Sequence, residues 1–141
     1  MNEDQYDEFV KELKTKYPEM FVRPYGGVDV GVGWWPIVKS LCFQINNYVK
    51  WKQEQKEKYG RGEGCPTVVV RQIKEKFGGL RFYYDGGDDR VDGMVTMAES
   101  WADHSCEECG KPGKSRDGGW IRTLCDEHEA ERQKRIAERS L

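Results

Sequence analysis

Three cysteines and one histidine near the C-terminus have the types and the spacing that metal chemistry requires. Cys106-Glu107-Glu108-Cys109 is followed after fifteen residues by Cys125-Asp126-Glu127-His128, a C-x2-C…C-x2-H pattern. Two sulfurs two residues apart, joined by a sulfur–imidazole pair, are the four ligands a tetrahedral zinc ion takes. Four protein ligands leave no position for water, so the expected cofactor is one structural Zn2+ per chain on Cys106, Cys109, Cys125 and His128. The chain has five cysteines, the others being Cys42 and Cys65, and an odd count argues against a disulfide framework. His104, two residues before the first ligand, is expected to be a polar residue closing a helix.

The elements around these residues fit that metal. Gly110 directly after the second ligand lets the backbone turn its N–H groups toward the sulfurs. Lys114 to Thr123, with Asp117-Gly118-Gly119 inside it, predicts two short strands and a turn. Thr123 is the expected N-cap of a helix running to about Arg139, whose first turn favours thiolate at Cys125. Knuckle, hairpin and ligand-bearing helix together resemble the treble-clef zinc finger, expected over 105–141. Many His-Asn-His nucleases share such a core, but they need a histidine base on the hairpin. Here it offers Arg116, Asp117, Trp120 and Arg122, so a metal-dependent nuclease is only a third reading.

The rest of the chain, 1–104, predicts an α+β core. Tyr6, Phe9, Val10, Leu13 and Tyr17 recur at helical spacing over about 4–17, and Pro18 stops them. Ile37, Val38, Leu41, Cys42, Ile45, Tyr48 and Val49 predict a long helix over about 36–58, with Pro36 in its first turn. A third helix over about 89–104 places Val91, Met94, Val95, Ala98, Trp101 and Ala102 on its buried side. Between them, β-branched Val68-Val69-Val70 and Leu80-Arg81-Phe82-Tyr83-Tyr84 predict an antiparallel hairpin over about 67–85. Strict alternation sets Val68, Val70 and Gln72 on one face and Val69, Arg71 and Ile73 on the other. A two-stranded hairpin alone is marginal, so helices must cover it or Val28–Val32 must add a third strand. The fold class is thus helices on a small hairpin or three-stranded sheet, with the finger appended.

Other stretches bear on binding. Lys74, Lys76 and Arg81 could hold phosphates while Tyr83 stacks a base, or could be solvated charges on a hairpin with a glycine turn. Trp34 and Trp35 could anchor a partner, or fill a core poor in aliphatics. Arg23 to Gly33 is glycine-rich, but Pro36 stands where a phosphate loop needs its third glycine. Gly110 to Ser115 fails as a Walker motif because Glu108 occupies the first glycine position. Cys65 is a candidate reactive thiol without a visible basic partner.

Composition narrows the class. At 141 residues with net charge −2 and 17 aromatics, the chain is long enough for one lean core and lacks the basic excess of a general nucleic-acid binder. No apolar run approaches the ~20 residues that span a bilayer, and the acidic start Met1–Gln5 is unlike a secretory signal. A cytoplasmic protein without membrane partners is the expectation. Gln72-Ile73-Lys74-Glu75-Lys76-Phe77-Gly78-Gly79-Leu80-Arg81-Phe82-Tyr83, with the Cys106–Gly113 knuckle and Gly118–His128, resembles a family of small uncharacterised proteins of bacteriophages and bacteria. The likeness runs from about Gly33 to His128. It implies a setting, the host cytoplasm, in which small phage proteins act by stoichiometric binding. Such action includes inhibiting antiviral defence proteins or capturing their nucleotide signals. The expected partner is therefore a host protein or a small nucleotide. Nucleic acid on Arg71, Lys74, Lys76 and Arg81, with Lys111, Lys114, Arg116 and Arg122, is the alternative.

Overall fold

The computed structural model describes residues 2–22 and 27–141. Helix α1 runs Glu3–Lys16 and opens with a capping box: the Asn2 side chain accepts from the Gln5 N–H while the Gln5 side chain accepts from the Asn2 N–H. Its buried face, Phe9 and Leu13, meets helix α2, Trp35–Tyr59. Phe9 stacks on Trp35 with ring centroids 4.5 Å apart. A short 3-10 turn, Val32–Trp34, leads into α2, and Pro36 sits in the first turn, where a missing N–H costs nothing. Ile37, Val38, Leu41, Cys42, Ile45 and Val49 are buried as their spacing predicts.

The sheet has three strands in the order β1 (Val28–Asp29), β2 (Val69–Lys76), β3 (Gly79–Asp85). The first segment does join as a third strand, two residues long and parallel to β2, because α2 carries the chain back along the sheet before β2 begins. The β2–β3 hairpin is antiparallel, with one departure from simple alternation. Its register slips between Val70 and Gln72, so Arg71 is an extra residue and both Val70 and Ile73 turn inward. Alternation alone places those two on opposite faces; the bulge corrects that. On β3 the alternation holds, with Leu80 and Phe82 buried and Tyr83 exposed.

Helix α3, Asp89–Ala102, packs on β3 and α2 through Val91, Val95, Ala98 and Ala102. Trp101, expected on that face, is half exposed instead. It stands at the margin of the α2–α3 contact, lining an apolar groove of about 420 Å³ with Leu41, Met94 and Met97. The C-terminal segment is treble-clef-like in order: knuckle, β4 (Lys114–Arg116) antiparallel to β5 (Arg122–Leu124), then α4 (Asp126–Arg139). The chain is thus of the α+β class with a cysteine cluster near its C-terminus.

Asp88 ties helix α3 to helix α2. Its carboxylate accepts from the Arg90 and Val91 N–H groups at the start of α3 and from the Tyr48 hydroxyl on α2. Burial raises this carboxyl, but the Tyr48 hydroxyl and the two N–H groups outweigh it and hold it below the usual carboxylate range. A lowered folded value means that its stabilisation is complete above the unfolded value of about 3.9 and is lost as pH falls through the folded one. Asp88→Ala should lower stability by about 1–2 kcal/mol at pH 7, the cost of a lost N-cap, with the gap to wild type closing below about pH 4. Equal denaturation midpoints at pH 7 would contradict this role.

Candidate metal centre

Backbone geometry brings the four ligand residues together. After Cys106 the chain turns tightly: the Gly110 N–H donates to the Cys106 carbonyl at 2.9 Å, and Gly110 has φ +78°, a conformation open to glycine. The Cys106 N–H in turn donates to the Lys111 carbonyl at 2.8 Å. The β4–β5 hairpin then returns the chain to the knuckle. Cys125, rather than Thr123, caps α4: its sulfur accepts the His128 N–H at 3.4 Å. The Thr123 hydroxyl is committed elsewhere, which is why the expected cap moves by two residues.

The ligand atoms of Cys106, Cys109, Cys125 and His128 lie within 4.8 Å of one another. Cys109 and Cys125 sulfurs are 3.8 Å apart, and His128 Nδ1 stands 3.5 Å from Cys106 Sγ and 3.2 Å from Cys125 Sγ. Two thiolates each about 2.3 Å from a tetrahedral zinc ion stand about 3.8 Å apart, so this donor set fits such an ion. The His128 N–H, more than any other neighbour, brings the Cys125 thiol down to about 7, which favours a metal-binding thiolate. Behind the ring, His128 Nε2 is 3.4 Å from Glu108, which also takes Arg122 Nη1 at 3.3 Å. A carboxylate behind a ligand histidine fixes which nitrogen faces the metal, here Nδ1. Neither Glu108 nor Glu107 stands out in the sequence, because their partners are distant along the chain.

Two contacts clamp this centre to the core. The Gly33 N–H donates to the Glu107 carbonyl at 2.8 Å, and a Cβ at Gly33 would lie 2.1 Å from the Cys106 carbonyl oxygen and 2.7 Å from the Cys109 nitrogen. Trp34 beside it is fully buried and donates from Nε1 to the Ser105 carbonyl at 2.8 Å. Trp35 is buried as well, its Nε1 donating to the Val30 carbonyl. Both tryptophans are therefore core and clamp, and their burial leaves neither ring exposed to anchor a partner. At the second contact, the tip of the β2–β3 hairpin meets β5: the Thr123 hydroxyl donates to the Gly78 carbonyl at 2.7 Å. Glu107 braces Thr123 from the knuckle side, its carboxylate accepting the Thr123 N–H at 2.7 Å. Burial pushes the Glu107 carboxyl above its usual range, against that N–H and Arg122.

The same hairpin carries the other candidates. Lys74 stands opposite Arg81 across the strands, and its ammonium lies 5.9 Å from the ring centre of Tyr83, which is 41% exposed. Lys76 lies over Phe77, which at φ +54° occupies the left-handed region with its ring in solvent. Among the described residues, Lys74, Lys76, Arg81 and Lys114 form no ion pair. Arg71 pairs with Asp85, Arg116 with Asp126 and Arg122 with Glu107 and Glu108, while Lys111 reaches Glu127 at 4.0 Å. Burial pushes the Cys65 thiol up to about 11 and Cys42 up to about 12, which makes both poor nucleophiles. His104 closes α3, its Nδ1 on the Ser100 carbonyl, away from the cluster. Of the glycine-rich stretch, residues 23–26 lie outside the described residues.

Fold and site together define an α+β protein with a Cys3His cluster of metal-centre geometry. No protein-family model, curated protein or solved structure matches the chain.

Gly33→Ala drives a methyl group into the knuckle backbone. Overpacking of this kind costs about 1–3 kcal/mol, and here it should also lower the metal content of the purified protein. Wild-type melting and metal content in that variant would show that the clamp is dispensable.

Proposed function

We propose that this chain is a zinc-stabilised binding protein of the phage type, acting without catalysis on a host protein or a small nucleotide. The observation that carries the reading is the Cys3His cluster itself: four ligand atoms converge, their backbone is hydrogen bonded to the core, and a carboxylate orients the histidine. Zinc bound by Cys106, Cys109, Cys125 and His128 supplies a crosslink between knuckle and helix. The residues around it position that crosslink. Gly110 shapes the knuckle, Glu108 turns the imidazole, Glu107 ties the knuckle to β5, and Thr123 joins the finger to the hairpin tip. The buried, raised thiols of Cys42 and Cys65 fit a role in packing, not nucleophilic chemistry.

Native mass spectrometry of the protein purified from cells tests the reading. The expected mass exceeds that of the chain by one zinc, and Cys109→Ser, leaving three ligands, should lose the metal and unfold the C-terminal finger. A co-purified mass of a few hundred daltons would name the nucleotide class; a larger one would name a protein. Unchanged zinc content and melting in Cys109→Ser would overturn the site, and nucleotide turnover abolished by a single substitution would overturn the non-catalytic role.

A second reading, nucleic-acid binding, draws support from the outer face of the β2–β3 hairpin. Lys74, Lys76 and Arg81 stand there beside exposed Tyr83 without carboxylate partners among the described residues. If they neutralise phosphates, retention on single-stranded nucleic acid should fall with salt, with a log–log slope reduced by about 0.7 for each cation removed. Lys76→Gln and Arg81→Gln should each show that reduction; salt-independent retention would count against this reading.

A further inference from the structure

Helix α4 has one face built for something other than a core. Arg132, Arg135, Ile136 and Arg139 recur at i, i+3, i+4 and i+7, the spacing that usually buries apolar residues. Instead they line a cleft of about 300 Å³ whose other wall is Trp120 and Arg122. That volume is at the lower end of small-molecule sites, about 300–1,000 Å³.

The six residues divide by what they are free to do. Arg132 is buried and donates from Nη2 to the carbonyls of Gly118 and Trp120, so it pins the loop that carries Trp120. Its other nitrogen, Nη1, has no hydrogen-bond partner and stands 3.8 Å from Glu129. Arg122 is held by Glu107 and Glu108. Arg135 and Arg139 are different: neither forms an ion pair with a carboxylate among the described residues, although Glu131 stands one helical turn before Arg135 and Glu127 and Glu138 share the helix. Trp120 is 73% exposed and Ile136 is 39% exposed. A large aromatic ring held out in solvent by a buried arginine, beside two free guanidinium groups, is an unusual surface to leave without a ligand.

We propose that this cleft binds a nucleoside phosphate, its base stacked on Trp120 against Ile136 and its phosphate held by Arg135 and Arg139. Guanidinium groups match phosphate oxygens with paired donors, and any base offers a face for stacking. An acidic peptide would satisfy the arginines and leave the indole face unused. The free nucleotide and the single-stranded polymer share this chemistry. The cleft also adjoins the basic hairpin, since Gly78 at the hairpin tip packs on the Arg122 backbone. The inference gives a site to the nucleotide arm of the proposed function and rests on that reading.

The test uses the full-length, zinc-loaded protein with two probes: fluorescein-labelled dT12, followed by anisotropy, and ATP as direct ligand and competitor. Trp120→Ala should weaken binding about tenfold, the scale of one lost stacking contact. The double variant Arg135→Gln/Arg139→Gln should weaken it as much and lower the salt slope for dT12 by about 1.4, two phosphate contacts at about 0.7 each. Zinc content and melting should match wild type in both, because the changed side chains are solvent-facing and Arg132 is kept. Binding of ATP alone supports a free-nucleotide site, and binding of dT12 supports a single-strand site. Wild-type binding that both variants retain in full overturns the cleft and leaves the nucleotide reading standing. Wild type that binds neither probe overturns the cleft and the nucleotide arm together. Displacement of both probes by poly-glutamate as readily as by unlabelled dT12 also overturns the proposal.

Discussion

The close meeting of Gly33 with the backbone of the cysteine knuckle is the contact on which the rest of the molecule depends. A carbonyl, two peptide nitrogens and a hydrogen bond fill the space where any other residue would place a side chain. That approach seats Trp34 beneath the finger, where its indole satisfies the Ser105 carbonyl, and it orders the chain entering α2. A knuckle this close to the core needs its own geometry fixed. Four converging soft and borderline ligands are the means a small segment has for doing so, since its apolar core is only Cys106, Leu124 and Cys125.

The second join, at the hairpin tip, explains why a motif that looks like a binding loop is partly structural. Gly78 in the left-handed region lets the strand pair turn in two residues, and its carbonyl takes the Thr123 hydroxyl. The left-handed φ of +77° favours glycine there, and the β5 backbone, 3.3 Å from where a Cβ would be, leaves little room for a side chain. The cations Lys74 and Arg81 of the same motif stand opposite each other farther along the strands. One stretch thus divides its residues between holding the finger and presenting a charged, aromatic surface.

Periodicity and spacing made much of this legible. The three core helices follow from apolar residues at helical spacing, and the four ligands from the C-x2-C and C-x2-H pairs. What escaped was tertiary. The bulge at Arg71 inverts half a strand without leaving a mark in the alternation, and Trp101 is exposed because of where two helices part. Thr123 looks like a cap and serves the hairpin instead. Arg116 and Arg122, read as cations for a ligand, are consumed by Asp126, Glu107 and Glu108. The arginine spacing on α4 was present in the residue order. It gains meaning only once Trp120 is seen across the cleft.

Hydrogen exchange on the whole chain before and after chelation asks whether metal centre, finger and core are one mechanical unit. The amides of Cys106, Gly110 and Thr123 should lose protection on chelation, and Gly33, hydrogen bonded to Glu107, should lose it with them. Exchange that quickens in the finger while Gly33 stays protected would mean that the core holds its shape without the centre and that the two are not one unit.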